Sequence, residues 1–203
     1  MMRTMRMITA LLMLTALAQA QNSDLALLAG ISGPRGETTV SGGTSTISGS
    51  VTPSFQINYA WQVLERRAAL YVELPLIVPV RVNGTIVHGP SGSVIAGNNG
   101  PDIFFTPGAR IKFTPESRVS FYGALGLGIA SFGPTSSVVP PLTVVNGSRQ
   151  NSFAVGFGGG IDFRLTRLLS LRADVRDFVT EAGLGGTSGR NHGIFQAGIG
   201  FHF

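Results

Sequence analysis

The last stretch of the chain has the clearest alternation of apolar and polar positions. It runs over Arg190–Phe203 with the sequence RNHGIFQAGIGFHF. Its apolar positions fall on every second residue: Phe195, Ala197, Ile199, Phe201 and Phe203. A period of two residues is typical of a β-strand with one apolar face and one polar face. We therefore predict a strand here, and we refer to it as the closing strand.

Seven earlier segments show the same period. We predict strands at Asp24–Ser32, Pro53–Val63, Ala68–Val78, Asp102–Thr114, Arg118–Phe132, Asn151–Arg164 and Leu169–Val179. Two prolines interrupt the pattern, because proline cannot donate a hydrogen bond to a strand ladder. We expect a bulge or a local break at Pro75, and Pro107 is a second misfit on an apolar face. The prediction is eight strands in total.

The connections between these strands alternate in length. Polar, glycine-rich loops are predicted at Gly33–Thr52, Pro79–Gly100, Gly133–Gln150 and about Thr180–Gly189, and short turns at Leu64–Arg67, Pro115–Ser117 and Leu165–Leu168. An even number of strands with long loops at one end and short turns at the other is the arrangement of an up-and-down transmembrane barrel. The third loop has an apolar centre, VVPPLTVV, which either extends strands five and six outward or forms an exposed strand edge. We favour the extension.

The period alone does not decide which face meets the solvent. A soluble, lipocalin-like carrier of the periplasm would have its apolar face inside, whereas a membrane barrel has it outside. The polar face here is rich in glycine, alanine and serine, which suit a narrow lumen, and the apolar face carries bands of large aromatic residues. We predict a membrane girdle at Tyr59, Trp61, Phe113, Phe121, Phe163, Phe201 and Phe203. The predicted fold is therefore an all-β, eight-stranded antiparallel up-and-down transmembrane β-barrel, with the carrier as the lesser alternative.

The N-terminus has the features of a secretory signal. Arg3 and Arg6 precede an apolar run, Met7–Ala18, and a small-residue site follows at Ala18–Ala20. We predict a cleaved signal peptide over residues 1–20 and a single barrel domain over residues 21–203. The chain has no cysteine, so no disulfide is expected after export.

Several phrases of the sequence resemble those of a known class. YVELPLIVPV, FFTPGARIKF, FYGALGLGIASFG and the closing GIFQAGIGFHF are similar to segments of small eight-stranded outer-membrane barrels of the OmpA and OmpX kind, the "outer-membrane protein β-barrel domain" families. The resemblance implies a location in the bacterial outer membrane, with its lipids as partners, the long loops outside the cell and the turns in the periplasm. It also implies recognition by the barrel-assembly machinery, through an assembly signal at Phe195, Ile199, Phe201 and Phe203. It carries over no catalytic residue.

The polar face contains charges that would be enclosed in a barrel. We predict a lumenal polar network of Glu73, Arg110, Lys112, Tyr122, Asp162, Arg164, Arg172, Asp174 and Arg176. Buried charges need partners, so these residues are expected to form salt bridges. The network would fill and stiffen the barrel, whose interior is just wide enough for side chains. The alternative is a gated polar pathway.

The positions of the predicted turns suggest specific pairs across the hairpins. A turn centred on Arg167 would place Asp162 opposite Arg172. Turns centred between Glu65 and Arg66 and on Glu116 would place two further pairs opposite each other, Asn58 with Glu73 and Arg110 with Tyr122.

Candidate chemistry is sparse. His192 with Ser188 and Glu181 is the one set that loosely resembles the site of a lipid A acyltransferase or deacylase, and its spacing is unspecific. We therefore predict no enzyme, no cofactor and no metal site, and no nucleic-acid binding because the basic residues are scattered. The predicted function is a structural or surface-interaction role for a monomer whose loops meet an extracellular partner. The alternative function is a narrow channel or small-molecule transporter.

Overall fold

The computed structural model describes residues 23–33, 51–80, 85–89, 92–98, 100–139, 143–146, 148–180 and 190–203. The predicted signal peptide lies outside the described residues. The strands are β1 Ser23–Ser32, β2 Thr52–Glu65, β3 Ala68–Pro79, β4 Thr85–Gly89, β5 Gly92–Asn98, β6 Ile103–Phe105, β7 Gly108–Phe113, β8 Val119–Phe132, β9 Thr135–Val139, β10 Thr143–Asn146, β11 Gln150–Arg164, β12 Leu169–Thr180 and β13 Arg190–His202. Within the described residues, no helix is long and apolar enough to cross a membrane.

The main sheet closes on itself as an antiparallel barrel. Its order is β1, β2, β3, then β6 with β7, then β8, β11, β12 and β13, and β13 pairs again with β1. Because β6 and β7 are two halves of one barrel strand, the barrel has eight strands, and the predicted fold is confirmed. Closure leaves no unpaired edge in this sheet. Ser23, at the start of β1, and Phe203, directly after β13, are joined by two backbone hydrogen bonds of 2.8 and 3.0 Å.

Two prolines account for the interruption of the fourth barrel strand. The register between β3 and its neighbour is the same on both sides of the gap, with Leu76 opposite Phe105 and Glu73 opposite Gly108. Pro75 and Pro107 both lie in this gap, and neither can donate to the ladder. The expected break at Pro75 therefore affects the partner strand, while β3 itself runs unbroken from Ala68 to Pro79.

A bulge occurs instead in β2, where the register shifts between Gln62 and Leu64. The turn of this hairpin is centred later than predicted, since Glu65 still pairs with Ala69, and Glu73 therefore lies opposite Ala60 and Asn58 opposite Pro75. The predicted Asn58–Glu73 register is wrong by two residues. The side chains still meet diagonally, since Asn58 Nδ2 donates to Glu73 Oε2 at 3.0 Å.

The turn after β7 is centred one residue later than predicted, on Ser117 rather than on Glu116. Phe113 lies opposite Phe121, so Lys112 faces Tyr122 and Arg110 faces Ala124, and the predicted Arg110–Tyr122 register is wrong. Thr114 opens this turn with φ 49°, in the left-handed region. The third turn follows the prediction, because Asp162 lies directly opposite Arg172.

A second, four-stranded sheet stands at the end of the barrel from which the long connections leave. Its order is β10, β9, β5, β4. The predicted loop Pro79–Gly100 thus contains two strands, β4 and β5, whose apolar runs are too short to stand out from the surrounding turn residues. In the third loop, Val138 lies opposite Val144 in a β9–β10 hairpin, which continues the β8–β11 pair outward in the same register, as the favoured extension of strands five and six predicts.

We call the end with the long connections the loop end and the end with the short turns the turn end.

The lumen is so narrow that large side chains depend on glycine partners. Tyr122 pairs with Gly160, and a Cβ at Gly160 would overlap both the Tyr122 phenol and the backbone oxygen of Ala173. Glycine at this position therefore makes room for the tyrosine ring.

Substitution Gly160→Ala is expected to lower the free energy of unfolding by about 1–3 kcal/mol, because the added methyl group must displace Tyr122 or the neighbouring strand. The measurement is the urea midpoint of the folded, gel-mobility-shifted barrel in lipid vesicles. Gly193→Ala is the matched control, since a Cβ there meets nothing within 4 Å. Equal midpoints for the two variants would contradict the packing described here.

Candidate functional site

The barrel presents its apolar face outward and its polar face inward. The predicted girdle residues point outward near the turn end, with side chains that are between 37% exposed at Tyr59 and 54% exposed at Phe121. The outward face also carries Leu125, Leu127 and Ile129 along β8, each more than half exposed. The lumen instead buries charged residues. This is the inverse of a lipocalin-like carrier, and it makes the lumen the candidate site.

The turn-end half of the lumen contains a cluster of five charged residues, one of which, Asp24, lies at its centre. Asp24 accepts hydrogen bonds from Arg110 and from Arg172, the latter at 3.0 Å. Arg172 also binds Asp162 through two nitrogens, at 2.6 and 2.8 Å. Lys112 Nζ donates to the same carboxylate at 2.7 Å. The cluster joins β1, β7, β11 and β12 across the barrel.

A second cluster lies farther along β12. Arg176 donates to Glu73 Oε1 at 2.7 Å and to Asp174 Oδ1 at 3.0 Å. The Tyr122 hydroxyl donates to Asp174 Oδ2 at 2.7 Å. Tyr122 also connects the two clusters, because the guanidinium groups of Arg110 and Arg172 each lie 5.4 Å from its ring centroid.

The lumenal charges balance. The two clusters together contain four carboxylates and four cationic groups, and each of these residues is at most 4% exposed. Every carboxylate contacts at least one cation. The ion pairs are Asp24–Arg110, Asp24–Arg172, Asp162–Lys112, Asp162–Arg172, Glu73–Arg176 and Asp174–Arg176. A neutral, internally paired network fills this part of the lumen.

Two members of the network differ from the prediction. Asp24, which bonds both Arg110 and Arg172, was not predicted, although it shares the inward parity of Ala26 and Leu28 on β1. Arg164 was predicted but does not join the network. It lies partly exposed at the turn end, where its Nη2 donates to the Pro115 carbonyl at 2.7 Å.

The loop-end part of the lumen contains a cluster of buried apolar side chains beside polar residues such as Asp102, Thr106 and His192, and the predicted polar lumen did not anticipate this cluster. We call this group of buried side chains the apolar layer; it consists of Ile77, Phe104, Ala130, Phe132, Ala154, Phe178 and Ile194. The Phe104 ring packs on Phe178 at 4.8 Å and edge-on against Phe132 at 6.0 Å between centroids. Each member is at most 5% exposed, so the layer covers the ion network from the loop end.

Amide side chains also lie inside the barrel. Gln56 is 2% exposed and lies opposite Leu28 on one side and Ile77 on the other. Both polar atoms of its side chain lack a hydrogen-bond partner among the described residues. Gln196 donates to Ser54 Oγ at 3.0 Å. These amides add polar surface to the wall without a continuous charged path.

The structure places His192 away from the rim position assumed for enzymatic chemistry. Its ring is 7% exposed, lies 5.4 Å from the Phe104 ring and 5.5 Å from the Phe132 ring, and its Nε2 is 3.2 Å from Thr180 Oγ1. Ser188 and Glu181 lie outside the described residues. Among the residues that the structure describes, no group of three or more His, Cys, Asp or Glu side chains could hold a metal ion.

Solved structures with the same architecture were found. Neisserial surface protein A is 14% identical, with 89% of this chain and 97% of that chain covered and a TM-score of 0.54. Ail, the attachment invasion locus protein of Yersinia pestis, is 12% identical, with 90% and 99% covered and a TM-score of 0.52. No protein-family model and no curated protein matches the chain. At these identities the likeness shows the fold alone, which is that of the small eight-stranded outer-membrane barrels.

Substitution Asp24→Asn is expected to lower the free energy of unfolding by about 3–5 kcal/mol, because Arg110 and Arg172 would lose a shared anionic partner in a site without water access. Urea titration of the vesicle-embedded barrel measures this loss. The control is Glu116→Gln, which removes a carboxylate from an exposed turn and is expected to change little. A loss no larger than that of the control would contradict the central position of Asp24.

Proposed function

We propose that the protein is an outer-membrane barrel with a closed lumen, which serves as a rigid structural element and carries an interaction surface at its loop end. The observation that carries this proposal is the pairing of an apolar exterior with an interior that is both charge-balanced and covered by the apolar layer. A soluble carrier needs the opposite faces, and a channel needs an open polar path.

The exterior supports insertion into a bilayer. Along β8, the outward side chains from Val119 to Ile129 are apolar. Contact between water and such a continuous apolar surface is energetically unfavourable. Lipid tails match it, and aromatic residues near the turn end suit the boundary between tails and headgroups. The signal peptide over residues 1–20 and the assembly signal at Phe195, Ile199, Phe201 and Phe203 are part of the same proposal.

The lumen supports a closed state. An ion that crossed the barrel would have to separate pairs such as Asp162–Arg172, whose nitrogen–oxygen distances are 2.6 and 2.8 Å. It would then have to pass the apolar rings of Phe104 and Phe178, which offer nothing that replaces its hydration shell. The narrow channel or transporter is therefore the less favoured function.

The second sheet supports a role at the loop end. Strands β4, β5, β9 and β10 form a hydrogen-bonded sheet beyond the barrel. This sheet is held on a scaffold that the lumenal network makes rigid. Binding surfaces are often loops held by such a scaffold. With the turns in the periplasm, this sheet would face the outside of the cell and meet an extracellular partner.

Substitution Leu125→Arg is expected to lower the free energy of unfolding in lipid vesicles by about 2–4 kcal/mol, because it places a charge midway along the lipid-facing side of β8. The matched control is Val119→Arg, on the same strand and face but next to the turn end, with an expected cost of about 0–1 kcal/mol. Urea titration followed by gel mobility measures both values.

A surface exposed to water would tolerate both arginines equally, so equal stabilities would contradict the membrane location. In cells, the wild-type protein is expected in the outer-membrane fraction, with a gel mobility that changes on boiling. Its recovery from the soluble periplasmic fraction would exclude the proposed location.

Planar-bilayer recording of the wild-type barrel is expected to give no discrete conductance steps, because the paired charges and the apolar layer leave no hydrated path. Insertion is verified in the same preparation by the boiling-dependent gel mobility. Reproducible, ion-selective steps would favour the channel instead, and their loss in Glu73→Ala would then assign the path to the lumenal network.

A further inference from the structure

The turn end of the barrel carries exposed arginines on all three turns. Arg66 and Arg67 lie between β2 and β3, Arg118 precedes β8, and Arg167 lies between β11 and β12. We call these four residues the arginine ring. They are placed around the barrel by three separate hairpins, so their common position at one end is a feature of the fold and not of one charged segment.

Within the described residues, the arginine ring forms no ion pair, and its four arginines exceed the two glutamates of the same turns. All ion pairs among the described residues lie in the lumen, and none involves a member of the ring. The acidic residues of these turns are Glu65 and Glu116. Glu65 already accepts a hydrogen bond of 2.6 Å from Gln62 Nε2. The turn end therefore presents unpaired positive charge.

The ring lies directly beyond a lipid-suited surface. Exposed apolar residues flank every turn, including Trp61 and Leu64 at the first, Phe121 at the second and Leu168 at the third. Aromatic side chains of this kind lie at the level of the lipid carbonyls and headgroups. An arginine a few residues farther along reaches the phosphates, and its planar guanidinium can bind a phosphate through two hydrogen bonds.

We infer that the arginine ring binds the headgroups of anionic phospholipids, of the phosphatidylglycerol class, in the leaflet at the turn end. The inference rests on the proposed membrane-spanning function, in which this leaflet is the periplasmic one. Both zwitterionic and anionic phospholipids offer a phosphate. Only the anionic class has a net negative charge, so the unpaired ring enriches it next to the barrel.

The chain reports on this contact itself, because its single tryptophan, Trp61, lies in the girdle next to Arg66 and Arg67. The barrel is reconstituted in vesicles of phosphatidylcholine and phosphatidylglycerol at equal mole fractions, with bromine on the acyl chains of one lipid at a time. We expect the quenching of Trp61 by brominated phosphatidylglycerol to correspond to about fivefold enrichment of this lipid next to the barrel. Added salt is expected to reduce the preference, since exposed charges are screened.

The test variant replaces Arg66, Arg67, Arg118 and Arg167 by glutamine, and is expected to be quenched equally by the two lipids. Its counterpart with four lysines keeps the charge and is expected to retain most of the preference. Arg149→Gln, which removes an exposed arginine near the other end, is expected to leave it unchanged. Gel mobility verifies that each variant is folded.

Equal quenching of the wild-type protein by the two lipids would overturn the inference, and so would a preference that persists in the glutamine variant. The failure of the proposed function looks different. If neither brominated lipid quenched Trp61, the barrel would not be embedded in the bilayer at all, and both the membrane-spanning function and the lipid site would be wrong.

Discussion

The interior of a narrow, closed barrel must satisfy its own charges. The eight charged residues of the two lumenal clusters are each at most 4% exposed, so each carboxylate and each cation depends on protein partners. The structure meets this constraint with four acids and four bases in two linked clusters. Asp24 has a special place among them, since it comes from the first strand and binds cations on β7 and β12. The ion pairs thus connect strands that are distant both in sequence and around the barrel. Their net contribution to stability depends on keeping all partners, because a single unpaired charge in this environment is costly.

The two halves of the lumen use different physical interactions for the same purpose. Near the turns, electrostatic pairing fills the space, and at the loop end the rings of Phe104, Phe132 and Phe178 fill it by packing. Glycines make both possible. Tyr122 lies over Gly160 in the charged half, and Phe178 lies over Gly156 in the apolar half, where a Cβ would overlap the ring. Gly156 and Gly160 therefore complement specific large side chains. They are part of the packing rather than evidence of an empty pore.

Much of the fold could be predicted from the sequence because a period of two residues directly encodes two faces. The eight barrel strands and the Asp162–Arg172 pair followed from that pattern and from one turn position. Register in the other two hairpins did not, because both turns are centred later than predicted, and a pairing shifted by two residues leaves the alternation of faces unchanged. Asp24 and the apolar layer are a different case. Their parity already placed them inside, but a lumen assumed to be polar gave no reason to look for phenylalanine there. Strands β4 and β5 were missed because their apolar runs are brief.

The division of the molecule into a closed interior and two different ends has a consequence for where function can reside. The lumenal residues are bound to one another, so a change in any one of them acts on stability before it acts on a ligand. Residues at the ends are free of this coupling. At the loop end, the second sheet continues the barrel hairpins outward beyond the closed barrel, with β9–β10 in the register of β8–β11 and β4–β5 in that of β3–β6. At the turn end, short hairpins hold Arg66, Arg118 and Arg167 in fixed positions relative to the girdle. Under the proposed function, specific recognition belongs to the loop end, and anchoring in the leaflet belongs to the turn end.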